Sequence, residues 1–417
     1  MPQDFIFSLV SFLGIVISGL AYDPLDPDGN ITIKWDILNW TSDGYEGTVS
    51  VINHQKYRQV GHPGWTLSWT WSGKEVIRSI WGAQATDQGD CSGFRMATIP
   101  HCCRRDPAVV DLLPTMKIDQ GVPNCCRGGL IASRLQDPED AVSMFRVRVG
   151  MAGRSGRTVR LPRNFTLLAP GPGYTCGTAQ KVRPTRFLTP DGRRATQALV
   201  TWNVICTYSQ FLARKAPACC VSLSAFFSRS IVGCPACSCG CRGDAMDRGS
   251  CVEGDLESAT PRPTSGDSKP PLLRCTDHMC PIRVHWHVKH NYQKYWRAKI
   301  TITNFDYLSN YSQWSLVVQH PNFENLEQIF SFNSRPISPY ASFNDSALLW
   351  GVKNYNDLLI QAGLLGNVQS ELLFHKNTSS FTLEKGWAFP RRVYFNGDDC
   401  IMPPPNAYPM LPNKGLR

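Results

Sequence analysis

The chain has 417 residues, a formal net charge of +10, 42% hydrophobic residues and 17 cysteines. This length exceeds what one hydrophobic core usually serves, which predicts two domains. So many cysteines favour an oxidising compartment in which disulfides persist. Nucleic acid is not normally met there, so the excess of basic residues points to acidic polysaccharides or anionic membrane surfaces instead.

The first 21 residues predict a secretory signal peptide. The apolar run 5–18 is followed by Gly19 and Ala21, small residues of the kind that signal peptidase recognises. A run of 14 residues is shorter than the roughly 20 that a membrane-spanning helix needs. Cleavage after Ala21 removes one acid, Asp4, and no base, so the net charge of +10 becomes +11 in the mature chain.

Residues 22–212 are predicted to form a first β-sandwich. Apolar and polar residues alternate over 31–37, 145–149 and 198–204, which is typical of strands with one buried face. Short helices are favoured only at 107–113 and 354–362. Without βαβ spacing, the expected fold class is all-β, with two antiparallel β-sandwich domains joined by a disulfide-rich connector.

Three acids near the start of this domain, Asp23, Asp26 and Asp28, lie in the sequence Asp-Pro-Leu-Asp-Pro-Asp-Gly. Proline and glycine mark turns, so we interpret these carboxylates as solvated turn acids rather than catalytic groups. The spacing resembles the start of a calcium loop, but Ile31 stands where that loop needs glycine. The sequence predicts no catalytic residue, cofactor or metal.

The segment 64–71 contains a row of tryptophans, Trp65, Trp69 and Trp71, with Leu67 among them. In a strand these four side chains project from one face. The row fits a buried sandwich core. It also fits a glycan-binding surface, because flat indole faces match the C–H faces of a pyranose.

Other aromatic residues of the first domain lie near turns or polar neighbours, which favours exposure. They are Trp35, Trp40, Tyr45, Tyr57 and Trp81.

The stretch 141–190 contains nine Lys or Arg residues and no acid. Such a run is most often a solvated face, but it could also hold acidic pectin or lipid headgroups. The closely grouped members are Arg146, Arg148, Arg154, Arg157, Arg160 and Arg163.

Residues 213–275 are predicted to be a cysteine-rich connector, with seven cysteines between Cys219 and Cys251 followed by a Pro/Ser/Asp stretch. The cluster from Cys234 to Cys241 could wrap zinc, but disulfides are the expected state of a secreted chain. Adjacent cysteines at 102–103, 125–126 and 219–220 suggest disulfides that lead to different partners. Alternation over 282–288 and 296–302, with a hairpin loop at 290–294, predicts a second sandwich over 276–405.

Six N-x-Ser/Thr sequons are spread over both halves of the chain. In a secreted protein they predict N-glycosylation. The acceptors are Asn30, Asn39, Asn164, Asn310, Asn344 and Asn377.

Several segments resemble the COBRA-like family of plant cell-wall proteins. The resemblance runs from residue 22 to about 412, with a Cys-Cys-Val-Ser hallmark at 219–222. The other matching segments are 22–35, 82–91, 164–176, 279–287 and 386–396.

The resemblance implies a non-enzymatic protein of the outer plasma-membrane face and wall, which binds cellulose through its first domain and influences microfibril orientation and crystallinity. The candidate cellulose-binding residues are Trp40, Tyr45, Trp65, Trp69, Trp71 and Trp81. The alternative is a receptor-like or pectin-binding module that uses its basic face. The family resemblance implies a GPI anchor, whereas the tail 406–417 shows no small-residue site followed by an apolar segment.

Overall fold

The structure is a computed structural model. It describes residues 23, 25–94, 98–116, 121–188, 193–213, 218–234, 251–252, 273–274, 281–306, 310–337, 345–360, 366–376 and 388–409. Strands make up most of its regular structure, as the sequence predicted. No helix in these ranges is long and apolar enough to cross a membrane.

Two antiparallel sheets pack face to face in the first domain. The larger sheet has the order β10-β13-β1-β2-β7-β4, with β9 also paired to β13, and the smaller has the order β5-β6-β3-β8. A separate hairpin pairs β11 with β12, and a single helical turn, α1 (Gln210–Ala213), follows β13. The strands are β1 (Ile31–Trp40), β2 (Gly44–Asn53), β3 (Thr66–Thr70), β4 (Val76–Trp81), β5 (Ala83–Ala85), β6 (Ala108–Asp111), β7 (Val142–Gly150), β8 (Arg163–Leu168), β9 (Tyr174–Cys176), β10 (Gln180–Val182), β11 (Arg186–Leu188), β12 (Ala195–Gln197) and β13 (Val200–Tyr208).

The second domain is also a sandwich, with one sheet in the order β15-β14-β18-β19-β26-β22 and the other in the order β23-β24-β21-β27-β28. Short 3₁₀ turns occur at Pro114–Met116, Phe323–Asn325 and Pro405–Ala407. The strands are β14 (Cys219–Ala225), β15 (Ser228–Val232), β16 (Cys251–Val252), β17 (Leu273–Arg274), β18 (Ile282–Asn291), β19 (Tyr295–Asn304), β20 (Tyr311–Ser312), β21 (Ser315–Gln319), β22 (Leu326–Ile329), β23 (Phe332–Pro336), β24 (Ser346–Gly351), β25 (Leu358–Leu359), β26 (Asn367–His375), β27 (Arg392–Phe395) and β28 (Asp398–Asp399).

The structure departs from the predicted elements in three places. The expected helices are wrong, because 107–113 contains strand β6 and the described part of 354–362 contains strand β25. Strand β14 falls inside the predicted connector, yet it pairs in parallel with β18 as an inner strand of the second domain. All seven of its residues are buried, so it lacks the alternation by which half-buried strands are recognised.

The described cysteines form five disulfides, and only one of the three adjacent pairs behaves as expected. Cys219 and Cys220 lead to different partners, whereas Cys125 and Cys126 bond to each other. Cys102 is buried as a free thiol while its neighbour is paired. The disulfides are Cys91–Cys103, Cys125–Cys126, Cys176–Cys206, Cys219–Cys400 and Cys220–Cys234.

The hairpin β27–β28 joins the two domains. Its turn, Asn396-Gly397, has positive φ at both residues, the conformation of a type I′ hairpin turn. Arg58 of the first domain forms an ion pair with Asp398 at 3.0 Å and donates to the Gly397 carbonyl. An apolar cluster that includes Tyr57, Leu25 and Tyr394 lies beside this contact. Polar and apolar contacts therefore hold the domains together at this hairpin.

Candidate functional site

The tryptophan row of β3 lies in the core of the first domain. Trp65, Trp69 and Trp71 are 2%, 1% and 2% exposed. The ring centroid of Trp35 lies 5.3 Å from that of Trp69 and 6.0 Å from that of Trp71. The row is therefore part of the layer that joins the two sheets, and the expectation that these three rings contact a polymer is not met.

The reason is the position of β3 in the smaller sheet. Its apolar face meets the larger sheet, where Trp35 stacks on Trp202 at 5.5 Å and Phe145 stacks on Trp65 at 5.9 Å. The indole N–H groups of the row have no hydrogen-bond partner among the described residues. An apolar layer of this size favours sandwich formation more strongly than polymer contact, because burying an aromatic ring removes a large apolar area from water.

Tyr45 and Trp40 form a pair at one end of the β1–β2 hairpin. Their ring centroids are 6.4 Å apart, but Tyr45 is only 1% exposed and burial raises the pKa of its hydroxyl. Trp40 is half-buried against the edge of the core. Tyr45 is thus a core residue, and Trp40 offers at most an edge to solvent. Trp35 and Tyr57, which were also expected to be exposed, are buried.

Trp81 occupies a different position, on the outer face of the larger sheet. It is half-buried and pairs across strands with Arg146, which is exposed and pairs in turn with Thr48. Core residues such as Phe145 flank Arg146 in sequence, so Arg146 and its cross-strand partners point away from the core. We call the surface around Trp81 the outer patch, which consists of Trp81, Arg146, Thr48, Arg148, Glu46 and Ser79.

The outer patch combines one flat apolar ring with hydrogen-bonding groups. It covers three strands, β4, β7 and β2, and is therefore about 10 Å wide. Arg148 lies 3.9 Å from Glu46 in an ion pair that is open to solvent. The face does not continue across the whole sheet, because the Thr185 N–H bonds to Thr201 and covers that end. The patch can stack one sugar ring on Trp81 and bond its hydroxyls to the neighbouring side chains.

Sequence reasoning missed the segment that borders Trp81. Gly82, with φ of +82°, turns the chain from the larger sheet into the smaller one, and a Cβ added there would lie 3.0 Å from the Cys125 Cβ. The Asp111 carboxylate accepts N–H bonds from Cys126, Arg127 and Gly129. A buried carboxylate with three such donors fixes the loop that carries the adjacent disulfide. A glycine between two short strand-like runs was the available signal.

The basic stretch of the first domain lies at the surface. Its six closely grouped arginines are exposed, apart from Arg148, which is half-buried. Arg154 donates to the Ser42 carbonyl at 3.0 Å and so connects the loop after β7 to the β1–β2 turn. These guanidinium groups are accessible to a solvent-borne anion. The exposed members are Arg146, Arg154, Arg157, Arg160 and Arg163.

The N-terminal acids belong to a turn, as predicted, but Asp26 is buried and Asp23 is half-buried, so these two are not fully solvated. Asp23 accepts the Leu25 N–H at 2.9 Å and bonds the Tyr57 hydroxyl, while Asp26 is 7% exposed. They line a cavity of about 100 Å³ in the first domain, well below the roughly 300 Å³ at which ligand pockets begin. The part of the chain that the structure describes contains no group of three or more His, Cys, Asp or Glu side chains able to hold a metal ion.

Replacing Asp26 with asparagine is expected to stabilise the protein at pH 7. Burial raises the pKa of Asp26 from 3.8 to about 6, although the Lys56 N–H bonds to its carboxylate. The folded state therefore binds the proton more tightly, and stability from this group is present below pH 3.8 and lost as pH rises through about 6. We expect Asp26→Asn to gain about 1–3 kcal/mol at pH 7 and nothing at pH 4, measured by urea unfolding.

Asp28→Asn is the matched control, because Asp28 lies in the same turn and is exposed. An equal gain at both pH values for Asp26→Asn would contradict the assignment.

Three of the predicted glycosylation acceptors, Asn39, Asn164 and Asn310, are exposed, and Asn30 is half-buried. Asn30 accepts a bond from the Thr32 hydroxyl at 2.9 Å. Asn344 and Asn377 lie outside the described residues. The exposed acceptors are compatible with attached glycans, which need surface positions.

Comparison with protein-family models matches both domains. Residues 45–209 match the COBRA N-terminal domain, and residues 218–409 match the COBRA family C-terminal domain. The gap between the two matches, 210–217, contains α1 and ends just before β14.

Similar proteins are found in two plants. The chain is 62% identical to COBRA-like protein 1 of Arabidopsis thaliana over 98% of the chain and 91% of that protein. It is 61% identical to Protein COBRA of Arabidopsis thaliana over 95% of the chain and 88% of that protein. It is 60% identical to COBRA-like protein 1 of Oryza sativa subsp. japonica over 98% of the chain and 92% of that protein. None of these names denotes an enzyme.

Proposed function

The chain belongs to the COBRA family, and from that premise we propose that it is a non-enzymatic extracellular protein that binds cellulose or another β-glucan. Through this binding it influences the deposition, orientation and crystallinity of cellulose microfibrils during oriented cell expansion. It acts in the wall and at the outer face of the plasma membrane.

The observation that carries the proposal is the outer patch. Trp81 is the candidate aromatic residue that lies on a sheet face rather than in the core or at its edge. A flat sheet face suits a flat polymer surface, and the indole ring stacks on the C–H face of glucose. The hydroxyls and guanidinium groups around the ring then bond sugar hydroxyls, which provides orientation along the chain.

Action outside the cell is supported by three independent features. The described residues contain five disulfides, which persist in oxidising compartments. Exposed sequons are available for glycosylation. The apolar N-terminal run has the length of a signal peptide.

Trp81→Ala is expected to weaken retention of the full secreted chain on microcrystalline cellulose by about tenfold, or about 1.4 kcal/mol. The physical reason is the loss of the one stacking ring of the outer patch. The measurement is a depletion isotherm with the glycosylated protein, and Trp81→Phe should recover most of the binding because it restores a flat ring.

Tyr355→Ala provides the matched control, since Tyr355 is 74% exposed but lies in a loop of the second domain. Loss of the Tyr355 ring should leave the retention of the protein on cellulose unchanged. If Trp81→Ala unfolds normally in urea and still binds cellulose like the unaltered protein, the outer patch is not the binding surface.

The exposed arginines of the first domain favour a second candidate function, binding of acidic pectin by a wall interaction module. Arg157 and Arg160 have no ion-pair partner among the described residues and so remain available to carboxylates. A protein of this kind would be retained on polygalacturonate rather than on cellulose, and increasing salt would release it. Comparing the two matrices separates the candidates.

A further inference from the structure

The second domain presents a polar face that the proposed function does not use. It is the outer face of the sheet that contains β14, β18, β19 and β26, opposite its buried alternation of Val284, Trp286 and Val288. Cross-strand pairs place His287 beside Lys299, and Lys299 beside Glu371. We call this surface the histidine face, and its members are Ser222, Ser224, Arg283, His285, His287, Lys289, Arg297, Lys299, Thr301, Gln369 and Glu371.

A chain of hydrogen bonds orders the middle of the histidine face. Ser222 Oγ lies 2.6 Å from His285 Nδ1, and Ser224 Oγ lies 2.8 Å from His285 Nε2 and 2.7 Å from His287 Nδ1. Both ring nitrogens of His285 are thereby engaged. Nε2 of His287 has no bonding partner among the described residues, so it remains available beside Lys299.

The imidazoles of His285 and His287, which take part in these hydrogen bonds, are uncharged at neutral pH. Burial lowers the pKa of His285 to about 4, and burial and the neighbouring Lys299 lower the pKa of His287. Neutral imidazoles and serine hydroxyls can each donate one hydrogen bond to an oxygen and accept another. Because the serines already engage both nitrogens of His285 and Nδ1 of His287, Nε2 of His287 is the ring atom of this network that can bond a ligand.

The charges of the histidine face are unbalanced. Arg283, Lys289, Arg297 and Lys299 supply four positive charges, and Glu371 supplies one negative charge. Lys289 and Arg297 both bond to Glu371, the latter at 3.2 Å, while Lys299 has no ion-pair partner in the described ranges. Four charges of one sign against one leave a formal excess of +3, spread over about 20 Å between Arg283 and Lys289.

We propose that the histidine face binds a linear polyuronate, with Lys299 and His287 at the centre of the site. The carboxylates of the polymer lie against the cations, and its hydroxyls bond to Nε2 of His287, Thr301 and Gln369. Charge complementarity attracts any polyanion. The neutral hydrogen-bonding residues between the cations favour a sugar polymer over a lipid surface, because sugar hydroxyls alternate with its carboxylates.

This proposal goes beyond cellulose binding and concerns the other domain. It also differs from pectin binding by the arginines of the first domain, because the two sites use different charges. A charge reversal at Lys299 therefore tests the histidine face alone.

The test is the affinity of the full secreted chain for immobilised polygalacturonate. Lys299→Glu is expected to weaken binding by at least about tenfold, because it replaces an attraction by a repulsion near the centre of the site. Ser224→Ala should weaken it by a smaller factor by releasing His285 and His287. Fully methyl-esterified, neutral polygalacturonate should bind neither the unaltered protein nor the variants.

Lys353→Glu is the control for net charge, because Lys353 is exposed in the loop between β24 and β25. It should change the affinity by no more than about twofold. Equal losses for Lys353→Glu and Lys299→Glu would overturn the site, as would unchanged binding of Lys299→Glu. Preference for phosphatidylserine vesicles over polygalacturonate would overturn the choice of ligand. Retention of Lys299→Glu on cellulose should be normal, so failure here is distinguishable from failure of the proposed function.

Discussion

Replacing Trp69 with alanine is expected to lower the free energy of unfolding of the first domain by about 4 kcal/mol. Trp69 is 1% exposed and its ring packs against Trp35 and Trp71 at centroid distances of 5.3 and 5.4 Å. The change removes the ring and leaves a cavity where two sheets meet. Urea unfolding measures the loss, and we expect the yield of secreted protein to fall with it.

Trp81→Ala is the comparison variant for the Trp69→Ala experiment. Trp81 is half-buried on the outer patch, so we expect its loss to cost about 1 kcal/mol or less in stability. The two substitutions should therefore have different effects: Trp69→Ala should impair folding, and Trp81→Ala should impair cellulose retention. A Trp69→Ala protein that folds normally but no longer binds cellulose would show that the row meets the polymer.

Removal of Arg58 is expected to uncouple the two domains. Its guanidinium lies 3.5 Å from the ring centroid of Tyr208 and 3.0 Å from Asp398. Arg58→Ala removes the guanidinium that pairs with the Asp398 carboxylate, which costs about 3–5 kcal/mol for a largely buried pair. Calorimetry should show two unfolding transitions in the variant where the unaltered chain shows one.

Arg392→Ala is the matched control for this prediction. Arg392 pairs with Asp399 in the same hairpin at 3.4 Å, but its side chain is 50% exposed. Exposed pairs contribute about 0–1 kcal/mol, so a single transition should remain. If both variants unfold like the unaltered chain, the Arg58 contact does not hold the domains together.

Much of the fold could be predicted from the sequence, because apolar and polar residues must alternate along a strand that has one buried face. Ile31, Ile33 and Trp35 follow this rule, and all are at most 1% exposed. Strand β14 could not be read in the same way, because small residues such as Ser222 and Ser224 are buried on its other face. Helix was expected at 107–113, where pairing with β3 and β5 instead produces a strand.

The candidate site was harder to predict than the fold. Trp69 and Trp81 are the same residue type, and the sequence nominated both as candidates for cellulose binding. Trp81 ends an edge strand of the larger sheet and points outward, whereas Trp69 belongs to the smaller sheet and points inward. Which face of a strand is covered depends on the sheet that packs on it, and distant segments supply that sheet.

The alternation of apolar and polar residues, the cysteine content and the sequons by themselves determined an all-β, disulfide-bonded chain with the expectation of secretion, since these properties depend on residue type and local spacing. Only the tertiary structure decided which aromatic residues are buried, that Cys125 bonds to Cys126, and that His287 lies beside Lys299. Each of these depends on contacts between strands or on backbone geometry. Spacing along the chain does not specify such contacts, because packing energy is gained only when remote segments meet.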